Sequence, residues 1–563
     1  MLKDGSIYSQ TQTFKTNICI IGAGAAGISI ALRLLNTDNN IILLESGGIS
    51  HNNYGESLNK GFVAHKGNHE PLEKYRRRTI GGTTSAWGGR CIPFDQIDFE
   101  QRDYVPFSGW PFGRQELDAY YHEANTICEA GSFNYRSNDV FPEKQSEIIP
   151  GFDTDLLTSD ALERWSPPTH FGKRYLTELT EAQNLDLLYN LTCNHIQLTE
   201  NGQHIKSVQV KGPNGVAHTI EADQFILAGG CIENTRMLLA SNDVHPNGIG
   251  NHYDALGRYY MAHLWGITTK VKLNKKALEG YIHNFERDKN GVYIRRRFAL
   301  SEKAQKELGV LNVVGFFFRP EVADADHNDP IMSIIHLMKE GPSTLLKSKW
   351  DSNSIKHLNN VMKGFPRVVS QIIEISRQRK KDRRLPYVIT PKNAAEQHFY
   401  YQSEQAPNPS SRISLHPTEK DKTGLPRAAV NLQFKDIDLQ TVKVFHQQMS
   451  ERFKSQGLGE FDYNEAEIEK NYNMMAEDFD SGSHHLGSTR ISEDPRMGVI
   501  DKDCKVHGVS NLYVAGASVF PTGSHANPTL TIVALALRLA DNLLKKKETS
   551  VNYVVDKIKS SNN

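Results

Sequence analysis

Four short apolar runs punctuate the chain, and each one closes on small or acidic residues. The first, Asn17-Ile18-Cys19-Ile20-Ile21, enters Gly22-Ala23-Gly24-Ala25-Ala26-Gly27 and then an apolar-periodic stretch from Ile28 to Leu35. The second, Ile41-Ile42-Leu43-Leu44, ends on Glu45. Continuous apolar runs of this length predict buried parallel strands, and the stretch between them predicts a helix, so residues 17–45 read as a βαβ unit. A third run, Gln224 to Gly230, precedes a helical pattern from Glu233 to Leu239. A fourth, Asn511 to Gly516, precedes a long helix pattern from Pro528 through Leu544.

Between these landmarks the texture changes. From about 266 to 480 many segments alternate in β fashion, as in Ser411 to Leu415 and Ala428 to Phe434. Within them Ser343 to Arg384 looks helical through Leu345, Leu346, Ile355, Leu358, Met362, Val368, Val369, Ile372 and Ile373. The predicted class is α/β with an α+β substrate lobe. A Rossmann-like nucleotide lobe assembles from 1–110, 185–265 and 481–548, and a substrate lobe comes from 111–184 and 266–480 with the helical insertion 343–384. Residues 549–563 read as a polar tail beyond the Lys545-Lys546-Lys547 helix end.

Composition narrows the class further. At 563 residues the chain exceeds a single small domain, and 38% hydrophobic with 23% charged residues is ordinary for a globular protein. A formal net charge of zero gives no electrostatic reason to expect nucleic acid. The basic end of the insertion, Arg377, Arg379, Lys380, Lys381, Arg383 and Arg384, reads as a solvated face, with a lid, partner or membrane-surface contact as the alternatives. Six scattered cysteines form no CxxC pair, which fits neither a zinc site nor a disulfide framework, and no metal is expected. Without an apolar leader segment or a run of about 18 apolar residues, the expected location is cytoplasmic, with no transmembrane segment.

The glycines after the first strand each have a physical use. Gly22 permits the tight strand-to-helix turn, Gly24 lets the backbone approach a pyrophosphate, and Gly27 lets helix and strand pack closely. The helix N-terminus offers free N–H groups to the phosphates. Glu45, 23 residues after Gly22, sits where a carboxylate takes the ribose hydroxyls. This motif alone does not choose between NAD and FAD.

The loop Arg78-Thr79-Ile80-Gly81-Gly82-Thr83-Thr84-Ser85-Ala86-Trp87-Gly88-Gly89 can lie flat on a planar ring, although such loops also make plain turns. It arrives in order with three more pieces. They are Leu227-Ala228-Gly229-Gly230 with Asn234-Thr235-Arg236, then His484-His485-Leu486-Gly487-Ser488-Thr489-Arg490, and finally Asn511 to Pro521 continuing to Asn527-Pro528-Thr529-Leu530-Thr531. In this order they resemble the glucose–methanol–choline (GMC) oxidoreductase family over most of the chain. The closest likeness is to its bacterial sugar-oxidising and pyranose-oxidase-related members.

That resemblance implies FAD and oxidation of an alcohol, by proton removal at the HxxG histidine and hydride transfer to flavin N5. The matching base is His484, with Asn527 as its partner. Neutral imidazole takes the hydroxyl proton, and an amide holds the oxygen. The implied flavin contacts are Gly22, Gly24, Ala26, Gly27, Glu45, Gly82, Thr83, Ala86, Trp87, Ala228, Gly229, Gly516, Ala517, Pro528 and Thr529. His485 and His525 are rival bases. Asn527 is also a good N-cap for a helix beginning at Pro528, and the helix start near Thr529 would face the flavin's pyrimidine carbonyl.

Two departures carry consequences. Some members attach FAD through a loop histidine, and the matching residue here is Ala86, so FAD is expected to be non-covalent. Many members have Asp near the end of the late strand where this chain has Gly516, so that contact is lost or made by backbone. The expected substrate is a sugar or glycoside. The electron acceptor is open among oxygen, a quinone and a redox protein. A non-redox FAD lyase of the hydroxynitrile-lyase type and a non-sugar alcohol dehydrogenase are the alternatives.

Overall fold

The computed structural model describes residues 1–64, 69–282, 285–318, 322–340, 351–379, 396–474 and 483–561. Its first layer is an eight-stranded sheet built from pieces far apart in the chain. The order is Leu2–Asp4, Leu185–Tyr189, Ile41–Leu44, Thr13–Ile21, Ala217–Leu227, Ile205–Lys211 and Thr192–Leu198, with Leu512–Val514 also paired to Ala217–Leu227. The pairing is parallel through the centre and antiparallel at the Thr192–Lys211 end. All four residues of Ile41–Leu44 are buried, which is why the run shows no polar alternation.

Register sets the position of the site. Ile21 pairs with Leu44 and with Leu227, and Leu227 pairs with Val514. Four strand ends are therefore level, and the turns after them, at Gly22, Glu45, Gly229 and Gly516, share one crest. The C-terminal ends of parallel strands are where open α/β sheets bind ligands. Helices Ala25–Leu34 and Thr529–Ser561 pack together beside this sheet.

A second, six-stranded sheet is antiparallel throughout. Its order is Gly459–Phe461, Leu264–Leu273, Glu396–Ser403, Val313–Phe318, Phe298–Leu300 and Leu157–Thr158. Phe298, Phe317 and Phe399 from the sheet pack with Phe445 and Phe453 of helix Asp436–Gln456 into a core of their own.

Two details differ from the sequence reading. The segment 111–184, expected in the substrate lobe, divides. Leu117, Tyr121, Ala124, Phe171 and Leu179 pack in the core of the eight-stranded sheet, whereas Ile148, Phe152 and Leu157 pack with the six-stranded one. Helix Gln115–Ile127 lies against the C-terminal helix, and that contact decides its side. The C-terminal helix runs from Thr529 to Ser561, past the tail expected from 549. The insertion contains helices Ser352–Lys363 and Phe365–Arg379, as its periodicity predicts. Leu345, Leu346 and the basic residues from Lys380 to Arg384 lie outside the described residues.

Candidate active site

A cavity of about 780 Å³ opens over the crest of the eight-stranded sheet. That falls within the roughly 300–1,000 Å³ of ligand and cofactor sites. One end is built by the glycine turn. Gly22 has φ +113°, and a Cβ there would come 2.5 Å from the Ala228 carbonyl oxygen. Gly27 lies behind the lining, where a Cβ would strike the Gly22 carbonyl at 1.9 Å, so the expected close packing of helix on strand is present. Gly24 borders open space, with nothing within 4 Å of an added Cβ. Glu45 is buried and accepts from the Ala23 N–H at 3.0 Å and the Gly47 N–H at 2.8 Å. Burial raises its pKa, and those two N–H groups and the Arg78 charge oppose the rise.

The glycine loop folds over the turn as a short 3-10 segment, Gly82–Ser85. Gly81 donates to the Ala23 carbonyl at 2.8 Å, and a Cβ on Gly82 would come 2.9 Å from Gly24 Cα. Thr83 and Ala86 are exposed, and both line the cavity. Trp87 does two things: its indole lines the cavity, and its Nε1 donates to the Thr169 carbonyl at 3.0 Å. Ala26, Ala228, Gly229, Gly516, Ala517, Pro528 and Thr529 also line the cavity. Gly516 takes φ +112°, where a side chain is strained, so this position offers backbone only.

At the other end stand His484 and Asn527. His484 has φ +63°, in the left-handed region that disfavours a side chain, a strain typical of functional positions. A single chain of hydrogen bonds runs through it, and its direction is fixed from both ends. Arg90 can only donate, and its Nη1 lies 2.6 Å from Gln402 Oε1. Gln402 Nε2 therefore donates to the His525 carbonyl at 2.6 Å and to Asn527 Oδ1 at 3.3 Å. Asn527 then donates from Nδ2 to His484 Nε2 at 3.1 Å. His484 Nε2 therefore carries no hydrogen and accepts from Asn527, and Nδ1–H donates to His263 Nδ1 at 2.9 Å. His263 donates from Nε2 to the Gly523 carbonyl at 3.1 Å, an obligate acceptor. Burial, then the Arg90 charge, lowers the His484 pKa to about 4, and burial and His484 push His263 well below its ordinary value.

Of the two rivals to His484, one shares the cavity wall and one does not. The His485 ring stacks on His69 at 5.6 Å, although it too borders the cavity. His525 is fully buried, is not among the cavity-lining residues, and has Nε2 3.3 Å from Asp95 Oδ2. The Asn527 amide is engaged by His484 and Gln402, and the first helical carbonyl contact is made by Pro528, which accepts from Ile532 N–H. The expected capping role of the Asn527 side chain therefore gives way to the network.

His263, Gln402 and Arg90 were not singled out from sequence. His263 directly precedes strand Leu264–Leu273, Gln402 lies in Glu396–Ser403, and Arg90 begins the short strand Arg90–Cys91. Each is an isolated polar residue in or beside a β segment. That was the only local signal, and it carries no partner information.

Residues 407–536 match the family model described as GMC oxidoreductase. This C-terminal segment therefore carries the GMC oxidoreductase signature. The chain is similar over nearly its full length to proteins named as dehydrogenases. It is 21% identical to the fructose dehydrogenase large subunit of Gluconobacter japonicus, over 95% of this chain and 98% of that one. It is 22% identical to 2-methyl-1,2-propanediol dehydrogenase of Mycolicibacterium austroafricanum, over 95% and 96%. The fold is shared with pyridoxine 4-oxidase from Mesorbium loti, with TM-score 0.52, 15% identity and coverage of 93% and 98%. The cavity suits FAD, the cofactor that the resemblance implies. A Cβ at Gly24, Gly88, Gly230 or Gly516 would meet nothing within 4 Å, so the bare backbone borders room for a dinucleotide.

Proposed function

We propose that this enzyme oxidises a hydroxyl-bearing carbon of a sugar or glycoside, with His484 as general base and Asn527 as the ligand of the substrate oxygen. The observation that carries the proposal is the hydrogen-free Nε2 of His484 on the cavity wall, whose lone pair accepts from the Asn527 amide until a substrate hydroxyl takes that place. Bound FAD supplies the two-electron oxidant.

The protein residues do the rest. Removing hydride from a carbinol carbon leaves positive charge unless the hydroxyl proton departs with it. His484 Nε2 is positioned to receive that proton, and a pKa near 4 keeps the ring in its basic form at neutral pH. Burial penalises the imidazolium, so the ring rests neutral before substrate arrives. Asn527 Nδ2 holds the oxygen while its Oδ1 is anchored by Gln402. His263 is a positioning residue: by accepting from Nδ1 it holds the hydrogen away from the catalytic nitrogen.

Ala86 stands in the glycine loop where a covalent link would need a nucleophile, and it supports non-covalent FAD. On this reading 1–110, 185–265 and 481–548 form the FAD lobe, joined by the parts of 111–184 that share its core, and 266–480 forms the substrate lobe. The sugar assignment draws support from a relative named for fructose, whereas one named for a simple diol fits the non-sugar alcohol alternative. His484→Ala tests the base. Flavin reduction by substrate should slow by at least about 100-fold with FAD content unchanged. Wild-type reduction by that variant would remove His484 from the role.

A further inference from the structure

Helices Ser352–Lys363 and Phe365–Arg379 both turn apolar side chains outward. The inward side of the first carries polar groups, whereas the second buries Val368. His357 is fully buried, with Nδ1 3.0 Å from Ser333 Oγ and Nε2 3.1 Å from the Ala323 carbonyl. Asn360 donates to the Ala325 carbonyl at 2.8 Å and to Ser333 Oγ at 3.2 Å. The outward sides are apolar. Ile355, Leu358 and Met362, at i, i+3 and i+7, are exposed, and Met362 is 61% so. Phe365, Val369, Ile372 and Ile373, at i, i+4, i+7 and i+8, continue the pattern, with Phe365 59% exposed. Met338, 75% exposed, adds to it from helix Pro330–Glu340, which packs against both. These eight are half of the sixteen exposed large hydrophobic side chains among the described residues, so the surface is a local concentration rather than scatter. Apolar surface gathered in this way marks an interaction site.

Charge identifies the occupant. From 343 to 384 the sequence holds eleven Lys or Arg and three Asp or Glu, a net of +8, in a chain whose 65 basic and 65 acidic residues cancel overall; six of the eleven lie outside the described residues. On the described helices Lys356 pairs with Asp326 at 2.7 Å and Arg367 with Asp329 at 2.8 Å, which leaves Lys363 and Arg377 among the surplus cations. A symmetric pairing with a second copy would bring two such positive faces together. An anionic bilayer answers both features, because interfacial helices place apolar side chains at the acyl boundary and cations at the headgroups. Among the described residues no helix is long and apolar enough to cross a membrane, so contact through these helices would be peripheral.

We propose that the surface formed by Ser352–Lys363 and Phe365–Arg379 docks the enzyme on a membrane rich in anionic lipid. The test is flotation of the holoenzyme with vesicles of phosphatidylcholine, with and without phosphatidylglycerol. The comparison is the triple variant Ile355→Ser, Met362→Ser, Ile372→Ser, whose sites are exposed and whose flavin content in solution should be unchanged. Wild type should float at least about tenfold more with the anionic vesicles, lose that binding in high salt, and exceed the variant by a similar factor. Absence of flotation at either composition, or equal flotation of wild type and variant, would overturn the proposal. So would a wild-type dimer that the same substitutions dissociate, which would assign the face to a second copy of the chain.

Discussion

Removing the acceptor behind the proposed base should slow chemistry without emptying the site. In His263→Leu the Nδ1–H of His484 loses its only partner on that side, 2.9 Å away in the native protein. A buried donor without an acceptor costs about 1–3 kcal/mol. The imidazole relieves that cost by moving its hydrogen to Nε2, where it meets the Asn527 amide N–H and no longer offers a lone pair to substrate. If only the native tautomer is productive, the reactive fraction falls by the same free energy, about 5- to 150-fold in the rate of flavin reduction. Substrate affinity should change little, since Asn527 keeps its anchor on Gln402. His263→Asn places an amide oxygen near the same point and should recover most of the loss. The assay is anaerobic stopped-flow absorbance of the bound flavin at saturating substrate, with the KM and kcat effects separated. Nitrogen NMR shifts of the His484 ring read the tautomer directly. Unchanged reduction by His263→Leu would refute the positioning role. Equal losses in His263→Leu and His263→Asn would reassign it to packing.

Two further outcomes follow from burial and loop chemistry. His69 and His446 are buried with pKa values lowered to about 4 by burial, so the unfolded chain takes up protons first as pH falls below 6.5. Stability should be flat above about 6.5 and decline toward 4, by at most about 3 kcal/mol for each histidine, and His446→Gln should shallow that decline. Urea midpoints at several pH values check it, and a midpoint unchanged between neutral and mildly acidic pH would contradict it. Because Ala86 offers no atom for a covalent link, acid precipitation should leave the yellow cofactor in the supernatant. Colour retained in the protein pellet would show attachment at another residue.

The sheet crest was legible because its parts are local. Gly22, Gly24 and Gly27 sit within one turn, and Glu45 ends the next strand, so spacing alone carries their roles. His484 and Asn527 were reachable only through the family resemblance, since they lie 43 residues apart and neither has a local pattern of its own. His263, Gln402 and Arg90 stayed hidden for a related reason. They come from three separate segments, 263, 402 and 90, which converge only when the six-stranded sheet meets the glycine loop. Asn527 shows how local chemistry misleads: the residue before a helical proline reads as a cap, yet its amide is taken by side chains from distant segments. The insertion was legible as helix but not in its orientation, because periodicity locates an apolar face without saying whether it turns inward.

The central claim is oxidation of a sugar-type CH–OH group, and anaerobic absorbance of the purified holoenzyme tests it most directly. The enzyme is mixed in turn with sugars, glycosides and simple alcohols, and the oxidised flavin band is followed before air is readmitted. The expected result is rapid loss of the band with members of the carbohydrate set, and the rate at which colour returns then separates an oxygen-using enzyme from one that needs another acceptor. A flavin that bleaches with dithionite but with no alcohol or sugar in the panel would contradict the claim.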